Sequence, residues 1–159
     1  MCRGAWKSLM GRTRSFARRL IDRGEITMKP ERILWAAAAY NVAFGLFTGL
    51  FPNAYFEWLG MAAPRYPSLW QCIGMIVACY GVGYAFAARQ PLVLWPIVLV
   101  GLLGKILGPL GFLFGLATGE VPIRFGWILL TNDLIWWIPF FQIVRAGWKE
   151  HPYFGTGAS

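Results

Sequence analysis

Charged residues are scarce in this chain of 159 residues. Asp, Glu, Lys and Arg together make up 14% of it, and 57% of the chain is hydrophobic. An ordinary soluble domain is about one quarter charged, so this shortage excludes an ordinary soluble fold and indicates a membrane protein. The length leaves room for a single domain.

Cysteine and histidine are scarce as well. Three Cys and one His are too few for a disulfide framework and for most metal sites. Cys72 and Cys79 lie about 10 Å apart along a helix, which is too far for a disulfide. No Walker loop, nucleophile elbow, zinc-protease motif or dinucleotide fingerprint occurs. The sequence therefore predicts no metal and no cofactor, and it leans against an enzyme without excluding one.

Long apolar runs are abundant. Four of them cover residues 33–51, 70–88, 92–117 and 125–144. A helix needs about 20 residues to cross roughly 30 Å of hydrocarbon, and the runs lack the period-two alternation of barrel strands. We therefore predict an all-α membrane protein whose residues 28–148 form a compact four-helix transmembrane bundle. Residues 149–159 form a cytoplasmic tail.

The net charge of +8 is unevenly distributed along the chain. Twelve of the fifteen Lys and Arg residues lie before the first run, between the second and third runs, or after the fourth run. The other two connections, residues 52–69 and 118–124, hold one each. Lys and Arg accumulate on the cytoplasmic side of a membrane, so both termini are predicted to be cytoplasmic. The basic excess also suits anionic lipid. A nucleic-acid partner is not expected, because the composition leaves no folded polar surface to bind phosphates.

The first 27 residues differ from the rest of the chain. Apolar residues recur there at helical spacing with Arg residues between them, which is typical of a basic helix lying on a membrane surface. The alternative is that Met28 is the native start, because Met28 and the residues after it open the first span naturally. The sequence leaves both interpretations open.

Polar residues occur near the middle of all four runs. Asn41 lies in the first run, Tyr80 in the second, Lys105 in the third, and Asn132 and Asp133 in the fourth. A lone charge in lipid costs several kcal/mol, so Lys105 and Asp133 are predicted to pair at one depth. The pair and its neighbours either fix the helix packing alone or form a site for a proton, an ion or a polar head group.

Small residues form stripes on three of the predicted helices. The third helix has glycines at steps of three and four, which places them on one face: Gly101, Gly104, Gly108, Gly111 and Gly115. Helices one and two carry similar stripes, at Ala38, Gly45 and Gly49 and at Gly74, Ala78, Gly81 and Ala85. Small faces let helices approach closely in lipid. We expect packing within one bundle, with a dimer interface as the weaker alternative.

Pro109 follows Lys105 by four residues. Proline has no N–H, so the Lys105 carbonyl loses its usual helical donor. Asn132 or water is the expected replacement.

Three segments carry a resemblance to known proteins. They are LWQCIGMIV at 69–77, VLVGLLGKILGPLGF at 98–112 and LTNDLIWWIPF at 130–140. They resemble a family of small, uncharacterised bacterial four-span membrane proteins, sometimes catalogued as alkyl hydroperoxide reductase, and the architecture is similar to that of DoxX-like proteins. The resemblance implies a four-helix fold in the bacterial inner membrane. The residues do not support peroxide reduction, because Cys-x-x-Cys and the peroxiredoxin spacing are both missing.

Three functions fit these observations. The leading interpretation is a non-enzymatic accessory bundle that binds a membrane protein partner or forms a homo-oligomer in the bilayer. The alternatives are a small proton- or ion-coupled carrier that uses Lys105 and Asp133, and a redox or lipid-linked membrane enzyme. A cavity that reaches Lys105 would favour the alternatives, whereas a dry packed network would favour the accessory bundle.

Overall fold

Four long helices make up most of the part of the chain that the structure describes. The computed structural model describes residues 11, 15, 19–22, 24 and 26–151. Helices α1 (Pro30–Leu50), α3 (Pro67–Ala87), α4 (Trp95–Ala117) and α5 (Ile123–Glu150) are each long and apolar enough to cross a membrane, and α2 (Ala54–Trp58) is a short helix between the first two. The prediction of an all-α, four-helix, multi-pass membrane protein is confirmed.

The helix boundaries differ from the apolar runs by a few residues. Pro30, Pro67 and Pro96 lie in the first turns of α1, α3 and α4, where the missing N–H has no helical partner to lose. Helices α1 and α3 therefore begin before their apolar runs, and α4 begins after residue 92. Helix α5 continues past residue 144 to Glu150, because polar residues extend a helix beyond the hydrocarbon.

Helices α1 and α3 are in close contact through glycine. A Cβ added at Gly45 would lie 2.4 Å from the Gly74 carbonyl oxygen and 2.6 Å from the Ala78 Cβ, and one added at Gly81 would lie 2.9 Å from the Ala38 carbonyl oxygen. Side chains at these glycines would hold the two backbones apart. The predicted packing of the small-residue faces of helices one and two is confirmed at these positions.

The apolar core lies toward the end of the bundle where α1 begins and α5 ends. Its most buried members come from all four long helices and include Leu34, Ala37, Ala87, Val98, Phe140 and Ile143. The indole N–H of Trp95 donates to the His151 carbonyl at 3.0 Å, which fastens the start of α4 to the end of α5. This half of the bundle is densely packed.

An aromatic cluster closes the opposite end. Tyr55 and Phe56 of α2 meet Trp70 of α3 and Phe125 of α5, and the ring centroids of these four side chains lie 5.3–6.3 Å apart. The Tyr55 hydroxyl donates to the Phe125 carbonyl at 2.9 Å and accepts from the Ile128 N–H at 3.1 Å. Burial raises the pKa of Tyr55, so its phenol remains a neutral donor. Helix α2 is thereby joined to α5.

The outer surface of the bundle is apolar. Large hydrophobic side chains are exposed along α3 and α4, among them Ile73, Ile76, Val82, Phe86, Leu107, Leu110 and Phe114. In a bilayer these side chains contact lipid tails. Cys72 and Cys79 share the exposed surface of α3 as free thiols.

The chain just before α1 packs onto the end of the bundle. Leu20 and Ile26 are buried against Leu92 and Ala146. The Thr27 backbone N–H and hydroxyl both donate to the side-chain oxygen of Gln142, at 3.2 and 3.1 Å. Most of the predicted basic surface helix in residues 1–27, and the tail beyond residue 151, lie outside the described residues.

Candidate functional site

Helix α5 is irregular where it carries its polar residues. It begins with a 3₁₀ turn (Ile123–Gly126) and contains a π-helical turn (Leu130–Leu134) before the regular helix Ile135–Glu150. A π turn widens the helix by one residue and often marks a functional site. Asn132 and Asp133 lie within it. Nothing in the local sequence predicts this turn.

Helices α4 and α5 exchange hydrogen bonds beside the π turn. The Lys105 ammonium donates to the backbone carbonyl of Asn132. In return, the indole N–H of Trp137 donates to the Lys105 carbonyl at 2.9 Å. The expectation that Asn132 or water would satisfy the carbonyl freed by Pro109 was wrong, because the large indole of Trp137 reaches across from α5. Helix α5 thus satisfies the carbonyl that Pro109 frees in α4, and α4 satisfies a carbonyl in the π turn of α5.

Asp133 is buried against α4. Its side chain is 4% exposed, one carboxylate oxygen accepts from the Asn132 side-chain amide at 2.9 Å, and the other would lie 3.4 Å from a Cβ added at Gly108. Within the described part of the chain, no carboxylate oxygen lies within 4.0 Å of the Lys105 ammonium. The electrostatic pairing of Lys105 with Asp133 stays a prediction, and the first partner of the ammonium is a backbone carbonyl.

A cavity of about 230 Å³ lies at this level between the four long helices. Its volume is several times the roughly 30 Å³ that one water molecule occupies in the liquid. All five polar residues predicted at mid-depth line it: Asn41, Tyr80, Lys105, Asn132 and Asp133. The structure therefore brings together the candidate site residues that the sequence placed on four separate helices. Tyr84, which the sequence analysis did not select, also lines the cavity.

Two residues of the cavity lining carry a buried amide oxygen that has no hydrogen-bond partner among the described residues. The Oδ1 atoms of Asn41 and Asn132 are buried, and neither forms a hydrogen bond to any residue that the structure describes. Asn41 is only 2% exposed. Leaving a buried acceptor unpaired costs about 1–3 kcal/mol, and buried polar groups in native proteins are nearly always satisfied. The cavity is therefore suited to an occupant that donates hydrogen bonds.

The glycine face of α4 has mixed surroundings. A Cβ added at Gly101 would meet the Tyr84 ring, and one added at Gly115 would lie 3.0 Å from Val121. At Gly104 and Gly111 an added Cβ meets nothing within 4 Å. The expectation that the whole face packs against another helix was wrong at these two positions, because α3 and α4 touch at Tyr84 and then separate. The missing side chain at Gly104 leaves part of the cavity open.

Among the described residues, no thiol lines the cavity and no metal cluster is present. Cys72 and Cys79 are exposed on α3 and do not line it. Across residues 26–151 and the few described positions before them, no group of three or more His, Cys, Asp or Glu side chains is placed to bind a metal ion. The chemistry available in the cavity is hydrogen bonding and charge.

Comparisons with known proteins were made with the sequence and with the structure. Neither the scan against protein-family models, nor the search of curated proteins, nor the search of solved structures found a match. The function of the chain is therefore inferred from the residues that line its cavity.

Proposed function

We propose that this multi-pass membrane protein is a non-catalytic carrier or binding protein whose ligand occupies the cavity between Asn41, Lys105 and Asp133. The observation that carries this proposal is that two buried amide oxygens, neither bonded to any described residue, belong to side chains that line the same cavity as a buried ammonium and a buried carboxylate. An accessory bundle held by a dry network would use these groups on one another. The geometry therefore favours a ligand site over the accessory bundle.

Lys105 and Asp133 suit a carrier that is coupled to a proton or an ion. The ammonium has three N–H donors, and its hydrogen bond to the Asn132 carbonyl uses one of them. Buried charges without a close partner are expensive in lipid and mark ion or proton pathways in membrane proteins. Each charged group can therefore meet a ligand without first breaking a direct ion pair.

The redox or lipid-linked enzyme is the least supported alternative. Its chemistry would need a reactive group beside the ligand, and the two described thiols face outward from α3. The cavity offers acceptors, a carboxylate and an ammonium, which bind and orient a ligand. Binding is therefore the simpler function.

The proposed location is the bacterial inner membrane, with both termini in the cytoplasm. An even number of spans returns the chain to the side from which it started, and the basic residues concentrate on that side. The positive-inside rule then assigns that side to the cytoplasm. Lipid is the immediate surrounding of the bundle.

A thiol placed in the cavity tests whether the cavity is polar enough to hold such a ligand. In a chain with Cys2, Cys72 and Cys79 replaced by Ser, we compare Gly104→Cys with Gly111→Cys, since a Cβ meets nothing within 4 Å at either position. Only Gly104 lines the cavity. The reagent is methyl methanethiosulfonate, which is neutral and enters both lipid and water. It reacts with the thiolate, which forms beside a cation or in a polar site far more readily than in an apolar one.

We expect Gly104→Cys in vesicles to react at least about tenfold faster than Gly111→Cys, because the polar cavity supports the thiolate and lipid does not. Mass spectrometry of the intact protein measures both rates. Equal, slow rates at the two positions would mean that the cavity is dry and apolar, and the proposed function would be wrong.

A further inference from the structure

The cavity borders the lipid-facing surface between α3 and α4. Ile73 and Ile76 line it, yet their side chains are 47% and 58% exposed. Gly104 on the facing helix is also exposed. The wall at this level therefore consists of two exposed isoleucines and a residue without a side chain.

The crevice between α3 and α4 is closed on one side of this opening. Tyr84 lies across Gly101, where an added Cβ would fall 2.7 Å from two of the ring carbons, and Tyr84 is 1% exposed. Gly104 is about 4.5 Å farther along the axis of α4. The opening thus begins one turn beyond the Tyr84 contact, at the level of Lys105.

The polar lining carries both signs of charge and both kinds of hydrogen-bonding group. Lys105 supplies donors, the two asparagine oxygens and Asp133 supply acceptors, and the two formal charges cancel. A carboxylate or ammonium head group would meet one like charge and one opposite charge, and it would leave the cavity with a net charge. A hydroxyl group both donates and accepts a hydrogen bond and adds no charge.

From these observations we infer that the ligand of the cavity is a neutral amphiphile with a hydroxyl head, a membrane-dissolved long-chain alcohol in chemical class, which enters sideways from the lipid between α3 and α4. Its hydroxyl donates to the Asn41 side-chain oxygen and accepts from the Lys105 ammonium. Its apolar chain extends between the helices, past Ile73 and Ile76, into the bilayer. This inference rests on the proposed function and specifies the ligand of the same site.

Photolabelling of the full chain in vesicles tests this inference. The probe is a hexadecanol analogue with a diazirine in its chain and a terminal alkyne. We expect the label in the α3 peptide that contains Ile73 and Ile76 and in the adjoining α4 peptide, with unlabelled hexadecanol competing and palmitate and hexadecylamine not competing. Mass spectrometry of the digested protein locates and counts the label.

Matched variants distinguish labelling in the cavity from labelling on the lipid-facing surface. Gly104→Leu fills the opening and is expected to lower the labelling about tenfold by obstructing the ligand, whereas Gly111→Leu leaves it unchanged. Gly104→Ala, the smallest change, is expected to give an intermediate loss and serves if the Leu variant folds poorly. Equal labelling of the two Leu variants, or equal competition by palmitate, would overturn the inference.

The outcomes also separate this inference from the proposed function. If Gly104→Cys reacts rapidly with the methanethiosulfonate and the alcohol probe does not label the cavity, the polar site stands and the hydroxyl amphiphile is wrong. If Gly104→Cys reacts as slowly as Gly111→Cys, the ligand site itself is wrong.

Discussion

Replacing Gly45 by Ala is expected to destabilise the protein by about 3 kcal/mol, at the upper end of the range for overpacking. The same change inside a helix normally stabilises a protein by roughly 0.5–1 kcal/mol. The reversal is expected because the new methyl group would lie 2.4 Å from the Gly74 carbonyl oxygen and 2.6 Å from the Ala78 Cβ. Backbone atoms cannot move aside as a flexible side chain can, so α1 and α3 must separate. In lipid, the close approach of the two backbones is the main source of their attraction.

Gly49→Ala is the matched control for this prediction. Gly49 lies one turn farther along α1, and an added Cβ there meets nothing within 4 Å. It should leave stability unchanged or raise it by the ordinary helix-propensity gain. Unfolding midpoints in mixed detergent and denaturing micelles measure both variants. If Gly45→Ala were as stable as Gly49→Ala, α1 and α3 would not be in contact at this level.

Removing either buried charge alone is expected to lower the free energy of unfolding more than removing both. Lys105→Met leaves Asp133 without an opposite charge in the cavity, and Asp133→Leu does the same to Lys105. A lone charge at the centre of a membrane helix costs about 2.5–3.5 kcal/mol on insertion scales. The double variant contains neither charge and should recover most of the loss. The free energies of unfolding of the four proteins give the coupling between the two positions.

The coupling energy should be about 2 kcal/mol or more, within the range of directly interacting residues. Both charges line one cavity, so an electrostatic interaction is expected although the ammonium hydrogen-bonds the Asn132 carbonyl. Additive losses in the double variant would contradict the pairing. If the double variant folds well but loses labelling by the alcohol probe, the two charges hold the ligand and their role is not confined to folding.

The spans and the depth of the polar residues could be predicted because they depend on the sequence alone. Lipid selects an uninterrupted apolar run, and a polar group at the middle of a run must lie near the middle of its helix. This reasoning placed Asn41, Tyr80, Lys105 and Asp133 at one level, and the structure brings them to one cavity. The small faces of α1 and α3 were predictable for a similar reason, since two complementary stripes indicate close approach.

The cavity itself could not be predicted in this way. Its volume depends on how far α3 and α4 separate beyond the Tyr84 contact, and glycines that pack closely look the same in the sequence as those that do not, as Gly101 and Gly104 show. The π turn and the Trp137 hydrogen bond to the Lys105 carbonyl depend on contacts between helices. Local sequence carries no sign of either feature.

A crystallographic map of the protein grown from a lipidic mesophase, at a resolution that shows ordered water, tests the central claim most directly. The claim is that the cavity at mid-depth holds an occupant that donates a hydrogen bond to the Asn41 side-chain oxygen. We predict density that belongs to no protein atom within about 3 Å of this oxygen, continuous with density that passes Ile73 and Ile76. An empty or collapsed cavity, in which the Asn41 amide bonds to protein groups and Lys105 bonds directly to Asp133, would contradict the account.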